Sequence, residues 1–237
     1  MLYFWAVLSG ILPAAILVFF IYLRDHYQRE PLKWIFKAIW FGVMSCIPAL
    51  VIEVLLPKWE VASLWAALYN SSILASFPEE MMKFLFFWLL VRGNPFFDER
   101  VDGIVYAACV GMGFAGLENV AYMLTNPEDL AFLAFTRAFF SVPGHFFYAV
   151  FMGFYYSIAV FGKKSERAFN MFLAIATPCF LHFVFDFALM SFDIDPVFDV
   201  IAGIIFILLT IFFWKYGQKR ITVLLDYDKA TIHKHKV

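Results

Sequence analysis

Glu79, Glu80 and Lys83 place two adjacent carboxylates and an ammonium group within a run of apolar side chains. An ionisable side chain at the centre of a membrane helix costs roughly 2.5 to 3.5 kcal/mol, so such groups are normally kept for function. On a helix, Lys83 lies three and four residues from the two glutamates and can pair with either. The two glutamates point about 100° apart, so one can face a reaction centre while the other holds a neighbouring helix or a second ligand.

Other apolar runs of the chain also carry ionisable or amide side chains, and these are Glu118, Asn119, Arg137, His145, His182 and Asp186. His182 and Asp186 are four residues apart and therefore share one helix face. When each run is placed across a bilayer at about 1.5 Å per residue, these groups fall between the midplane and one membrane surface. We expect them to meet the acidic pair in one site.

The residue types allow two kinds of hydrolytic chemistry. Two histidines and two or three carboxylates can hold a zinc ion while one glutamate deprotonates water. A buried glutamate beside a histidine can also activate water without a metal. His182 can be a ligand oriented by Asp186, or both can be direct ligands. The residues alone leave these options open, as well as a purely structural ion network that fixes a kinked helix.

The composition is that of an integral membrane protein. Of the 237 residues, 63% are hydrophobic and 16% are charged, and the mean hydropathy is +0.79. These values exclude an ordinary soluble domain and give no basic surface for nucleic acid. Cys46, Cys109 and Cys179 lie within apolar runs without metal-type spacing and are interpreted as small core residues.

The apolar runs predict an all-α polytopic bundle with about seven transmembrane helices, at residues 2–23, 34–56, 61–91, 103–124, 131–161, 168–190 and 200–216. The third and fifth are too long for one straight crossing of about 20 residues. Asn70-Ser71-Ser72 and Pro78 interrupt the third, and Pro143-Gly144 interrupts the fifth. We therefore expect broken or kinked helices at these two places.

The charges of the loops predict the topology. Basic residues concentrate in residues 24–33, in residues 162–167 and after residue 214, whereas residues 125–129 and 193–199 are acidic. Because basic loops stay in the cytoplasm, the N-terminus is expected outside and the C-terminus inside. Residues 1–216 would form the transmembrane domain and residues 217–237 a cytoplasmic tail, whose His233-Lys234-His235-Lys236 is interpreted as a solvated basic end.

Four motifs occur in this order in separate predicted spans: Glu79-Glu80-x-x-Lys83, Phe114-x-x-x-Glu118-Asn119, Pro143-Gly144-His145 and His182-x-x-x-Asp186. In these motifs the chain resembles the PrsW family of membrane-embedded proteases, which are distant relatives of the CAAX prenyl endopeptidases. The resemblance implies catalytic or metal-binding roles for Glu79, Glu80, Glu118, His145 and His182. Lys83, Asn119, Asp186 and Arg137 would support them, and Arg137 is expected to snorkel or to pair with Glu118.

The resemblance also implies a cofactor and a substrate. Zinc is the candidate metal, with Glu118, His145 and His182 as candidate ligands. The implied reaction is site-1 cleavage of a single-pass anti-sigma factor on its extracytoplasmic side, in a stress response at the bacterial plasma membrane. CAAX-type enzymes resemble a Glu-Glu-x-x-x-Arg pattern, whereas here the basic residue is Lys83 and Phe84 stands in the next place, where that pattern has its arginine. Glu118 also stands where that branch has a histidine, so prenylated peptides are not the expected substrate.

Two other functions compete with proteolysis. Carboxylates, histidines and broken helices at the midplane also build proton-coupled carriers. Seven spans divide poorly into inverted repeats, which argues against a carrier. A non-catalytic membrane chaperone or immunity-type protein would need the fold but not the whole polar set.

Overall fold

The structure, a computed structural model, describes residues 2–59, 63–192 and 194–234. Its helices are α1 (Leu2–Arg24), α2 (Leu32–Leu55), α3 (Leu64–Tyr69), α4 (Phe77–Arg92), α5 (Val101–Thr125), α6 (Leu130–Thr136), α7 (Val142–Phe161), α8 (Arg167–Met190), α9 (Pro196–Phe212) and α10 (Gln218–Lys234). The described residues contain no strand, so the predicted all-α bundle is confirmed. Residues 60–62, 193 and 235–237 lie outside this description, as do the side chains of residues 232–234 within the predicted basic tail.

Six helical segments are long and apolar enough to cross a membrane: Tyr3–Arg24, Leu32–Leu55, Arg100–Thr125, Pro127–Phe161, Lys164–Met190 and Pro196–Thr231. A further helical segment, residues 64–92, carries Glu79, Glu80 and Lys83. Charged side chains lower its apolar character, which is the physical reason that it stands apart from the six. The described chain therefore has the seven helical segments of a polytopic membrane bundle.

The predicted interruptions are π-helical segments rather than breaks. Asn70–Ser76 joins α3 to α4, and Arg137–Ser141 joins α6 to α7. A proline follows each at the second position of the next helix, Pro78 in α4 and Pro143 in α7. A proline has no N–H and its ring crowds the preceding turn, so the backbone widens there and stays helical. Sequence reasoning located both irregularities correctly.

Helix α5 is the centre of the bundle. It is buried continuously from Val101 to Gly116, and it packs against α1, α2, α4 and α7. Helix α7 is buried nearly as completely and also packs against α8. The other long helices expose large apolar side chains, among them Phe36, Phe172 and Ile204, as expected for surfaces that face lipid. The two buried helices are therefore the scaffold for any polar site in the interior.

Close backbone contact fixes α5 against α7. A Cβ atom added at Gly153 of α7 would lie 2.1 Å from the carbonyl oxygen of Gly103 in α5, and one at Gly103 would lie 2.0 Å from Oγ of Ser157. Small residues at such positions allow membrane helices to approach closely. The spacing of α5 and α7 therefore depends on these glycines.

The predicted C-terminal tail is helical where the structure describes it. A third π-helical segment, Phe213–Gly217, joins α9 to α10 without a break. Ile221 and Leu224 of α10 are buried, and the carboxylate of Asp228 accepts hydrogen bonds from the backbone N–H groups of Arg100 and Val101 at 3.2 and 2.8 Å. This helix was not predicted within the tail. It is anchored by the carboxylate of Asp228, which satisfies the free N–H groups at the start of α5.

We predict that Gly153→Ala destabilises the protein by about 1 to 3 kcal/mol or more, because the new methyl group overlaps the backbone of α5. Gly203→Ala in α9 is the matched control, since a Cβ atom there meets nothing within 4 Å and alanine favours a helix by about 1 kcal/mol. Unfolding in detergent micelles measures both. Equal stability of Gly153→Ala and the wild type would show that the two helices are not held by this contact.

Candidate active site

Four helices supply the polar side chains of one interior cluster. Glu79, Glu80 and Lys83 come from the first turns of α4. Glu118 and Asn119 come from α5, His145 from α7, and His182 and Asp186 from α8, while Arg137 lies in the π-helical segment before α7. The residues of α5 and α8 lie toward the ends that lead into the α5–α6 and α8–α9 connections, and those of α4 and α7 lie near the starts of their helices. The cluster therefore occupies one half of the bundle, next to the loops predicted to be extracytoplasmic.

Lys83 lies at the centre of the cluster. Its Nζ is 3.1 Å from Glu79 Oε2, 2.8 Å from Glu80 Oε1 and 3.0 Å from Nδ1 of His145. The ammonium group also lies 3.9 Å from the centroid of the Phe114 ring. An ammonium only donates, so His145 Nδ1 accepts from it, and a cation over an aromatic face adds further stabilisation. Lys83 thereby neutralises much of the acidic pair without solvent.

The two histidines are held in the same way. His145 turns Nδ1 toward the centre, and its Nε2 lies 3.0 Å from Glu118 Oε2. His182 turns Nδ1 toward Glu80 Oε1 at 3.0 Å, and its Nε2 lies 3.2 Å from Asp186 Oδ2. A carboxylate on the distal nitrogen fixes the orientation of an imidazole and raises its basicity as a ligand. Each histidine therefore presents its other nitrogen to a shared centre, where the two rings are 5.0 Å apart.

Glu118 is held in position by Arg137. Arg137 Nη2 donates to Glu118 Oε2 at 2.8 Å, and Arg137 Nε donates to Oδ1 of Asn119. The guanidinium group of Arg137 thus binds two adjacent residues of α5 at once. The predicted pairing of Arg137 with Glu118 is what the structure shows, and it leaves Glu118 directed at His145.

The cluster has a deeply buried part, which contains Glu80 and Lys83 and is called the floor, and a more exposed side. The side chains of Glu80 and Lys83 are 1% and 2% exposed, whereas those of Glu79, Glu118 and Asp186 are 12%, 17% and 17% exposed. Glu79, Glu118 and Asp186 therefore form the accessible side of the cluster, the part nearest the protein surface. Glu80 Oε2 is buried and has no hydrogen-bond partner, so one further ligand position remains on the floor.

The donor set fits a zinc ion. Glu79, Glu80, His145 and His182 each offer one ligand atom, and these atoms lie within 4.8 Å of one another. Carboxylate oxygen and imidazole nitrogen are the ligands of catalytic zinc. This set differs from the predicted Glu118, His145 and His182, because Arg137 and the distal nitrogen of His145 already engage Glu118. Lys83 Nζ lies among the same donors, so a bound ion would require its ammonium to move aside.

The structure thus joins all the predicted site residues in one network, and it adds two aromatic side chains. Phe114 covers Lys83, and its position one turn before Glu118 on α5 gave a sequence signal. Tyr148 stacks on His182 with ring centroids 4.8 Å apart and planes inclined by 20°. Its spacing of three residues from His145 puts both on one face of α7. A single tyrosine among so many aromatic residues cannot, however, be singled out from the sequence alone.

Comparison with known proteins bears directly on this cluster. Residues 30–215 match the model of the family described as "PrsW family intramembrane metalloprotease". This chain belongs to the PrsW family. The matched range contains every residue of the network described above.

Curated PrsW proteases are similar over most of their length. The chain is 36% identical to Protease PrsW of Geobacillus kaustophilus over 77% of this chain and 79% of that protein. It is 32% identical to Protease PrsW of Clostridioides difficile over 94% and 92%, and 33% identical to that of Bacillus subtilis over 77% and 82%. No solved structure matches the chain.

Membership of the PrsW family confirms the resemblance in the sequence motifs. The protein is a multi-pass membrane peptidase of the intramembrane protease class. This finding favours proteolysis over the carrier and chaperone alternatives.

We predict that Lys83→Met destabilises the protein by about 3 to 5 kcal/mol, because it leaves two buried carboxylates without their cation. Lys163→Met is the control, since Lys163 is 80% exposed and lies 3.8 Å from Glu166 at the surface, where such pairs contribute little. Chemical unfolding in micelles containing a chelator gives the comparison. A Lys83→Met protein as stable as the control would show that the acidic pair is neutralised by other means.

Proposed function

We propose that the cluster is the peptidase centre of this PrsW-family protein and that Glu79 is its general base. The observation that carries the proposal is the orientation of the two imidazoles. Both turn Nδ1 to a centre shared with the acidic pair, and both are held from behind by a separate carboxylate. Lys83 and Glu80 hold these two Nδ1 atoms in the structure, and a network that only neutralises charge would not need both imidazoles to converge on the same acidic pair.

Their environments suggest different roles for the two adjacent glutamates. Glu80 lies on the floor between Lys83 and His182, so it is suited to hold a cation. Glu79 has Lys83 as its ion-pair partner and reaches the accessible side. We assign it to take the proton of the attacking water and to pass that proton to the departing amine as the peptide C–N bond breaks.

Glu80, His145 and His182 would hold a zinc ion, which would polarise the scissile carbonyl and make water a stronger nucleophile. Glu118 and Asp186 keep the imidazoles in place through their distal nitrogens. Arg137 and Asn119 fix Glu118 in turn. A loss of either distal carboxylate should therefore impair the reaction without removing a group that contacts the substrate.

The substrate that fits best is a single-pass membrane protein cut close to its extracytoplasmic end. The accessible carboxylates lie in the half of the bundle next to the acidic loops, and the basic loops lie at the opposite end. With the N-terminus outside and the C-terminus in the cytoplasm, a cut in this half is site-1 cleavage. We propose an anti-sigma factor of a stress response as the substrate, at the bacterial plasma membrane.

Glu79→Gln is expected to lower the cleavage rate by a factor of about 10² to 10⁴, because an amide cannot accept the proton of water. Substrate should still bind, since the shape of the side chain is kept. The measurement is complementation of a Bacillus subtilis strain that lacks its own PrsW, with tagged single-pass anti-sigma factors followed by immunoblot.

Glu166→Gln is the matched control for this experiment, because Glu166 is an exposed glutamate between α7 and α8 whose carboxylate pairs with Lys163 at the surface. It should cleave like the wild type. Undiminished cleavage by Glu79→Gln would refute the assignment of the base. Failure of the wild type to process any single-pass anti-sigma factor would refute the proposed substrate.

Purified wild-type protein should bind about one zinc ion per chain, and His182→Ala or His145→Ala should bind far less. His26→Ala, a change in an exposed loop, should bind as the wild type does. Elemental analysis after dialysis against zinc provides the measurement. Zinc-free protein that cleaves at the full rate after chelation would instead support water activation by glutamate alone.

A further inference from the structure

The hydroxyl group of Tyr148 is a buried hydrogen-bond donor without a partner. The residue is 1% exposed, and its Oη has no hydrogen-bond partner among the described residues. Tyr106, which is equally buried, donates its hydroxyl to Glu30 instead. A buried hydroxyl left unpaired costs about 1 to 3 kcal/mol. Phenylalanine would fill the same space without that cost, so the hydroxyl requires an explanation.

The ring of Tyr148 packs against both histidines of the cluster. It stacks on His182 and meets the His145 ring edge-on with centroids 5.8 Å apart. A Cβ atom at Gly144 would lie 3.0 Å from Tyr148 Oη, so the hydroxyl reaches back one turn of α7 to the level of His145. The absence of a side chain at Gly144 keeps this space free.

We infer that Tyr148 is a further catalytic residue, whose hydroxyl donates a hydrogen bond to the substrate carbonyl oxygen as the tetrahedral intermediate forms. The inference rests on the proposed function. When the water oxygen bonds to the carbonyl carbon, the π electrons of the C=O bond become a lone pair on oxygen. The phenol keeps its proton and stabilises that charge, and when the C–N bond breaks the carbonyl re-forms. A donor already held in place in a dry site suits this step.

The same placement explains why Tyr148 lacks a protein partner. A donor that must serve a transient oxyanion is most useful when no resident acceptor competes for it. His182 already engages Glu80 Oε1 and Asp186 Oδ2, and the remaining buried oxygen of Glu80 makes no hydrogen bond to the tyrosine hydroxyl. The stack on His182 holds the phenol ring in place, so little is lost in ordering it when the substrate arrives.

Tyr148→Phe tests the inference, because it removes only the hydroxyl and keeps the stacked ring. We expect kcat to fall by a factor of about 10² to 10³, with KM nearly unchanged. The unfolding midpoint and zinc binding should stay equal or rise. The assay uses purified protein in lipid vesicles with the Bacillus subtilis single-pass anti-sigma factor that is processed in cells. Tyr156→Phe, two turns further along α7 and packed against Phe87, is the control and should keep the wild-type kcat.

Each result of this assay decides between the proposals. If the wild type cleaves, Glu79→Gln does not and Tyr148→Phe retains full kcat, the role of Tyr148 is refuted while the proposed function stands. A fall in kcat accompanied by loss of zinc or of stability would mean that Tyr148 acts only by packing, which also refutes it. If the wild type does not cleave, or Glu79→Gln cleaves equally well, the proposed function fails and the inference fails with it.

Discussion

The structure depends on the neutralisation of charge within an apolar interior. Lys83, whose side chain is almost fully buried, contacts two carboxylates and an imidazole. The network then continues through His145 to Glu118 and through Glu80 to His182, so it links α4, α5, α7 and α8. Because an unpaired ion in such a place is costly, these helices can pack together only in arrangements that also assemble the site. The same contacts therefore determine both the stability of the fold and the geometry of the site.

The helices that carry the site combine rigid and adaptable parts. Close contact at Gly103 and Gly153 sets the distance between α5 and α7. By contrast, π-helical turns directly precede α4 and α7, just before Glu79 and His145. Such turns are found at functional sites, where an extra residue in the turn re-aims the side chains that follow. The scaffold fixes Glu118, while the wide turns adjust the residues that must converge on it.

Much of the fold and most of the site could be predicted from the sequence. Burying charge in a membrane helix is so costly that Glu79, Glu80 and Lys83 stand out as candidates for a functional site. Proline and the apolar runs located the helices and both irregular turns. The candidate metal ligands were harder to predict, since the pairing of Glu118 with Arg137 depends on a residue of another element. Helix α10 was missed because its docking depends on Asp228 reaching the start of α5, a contact between residues far apart in sequence.

Adjacent residues of the same type acquire different environments here, which is how one helix can supply two functions. Glu79 and Glu80 are separated by about 100° around α4. That rotation sends Glu80 to the floor beside His182 and leaves Glu79 on the accessible side. Two carboxylates whose surroundings differ in this way tend to take different parts in acid–base chemistry. The adjacency of the two glutamates determines this rotation but not the direction of the neighbouring helix. It is the position of α8 that decides which glutamate pairs with His182 and which one lies on the accessible side.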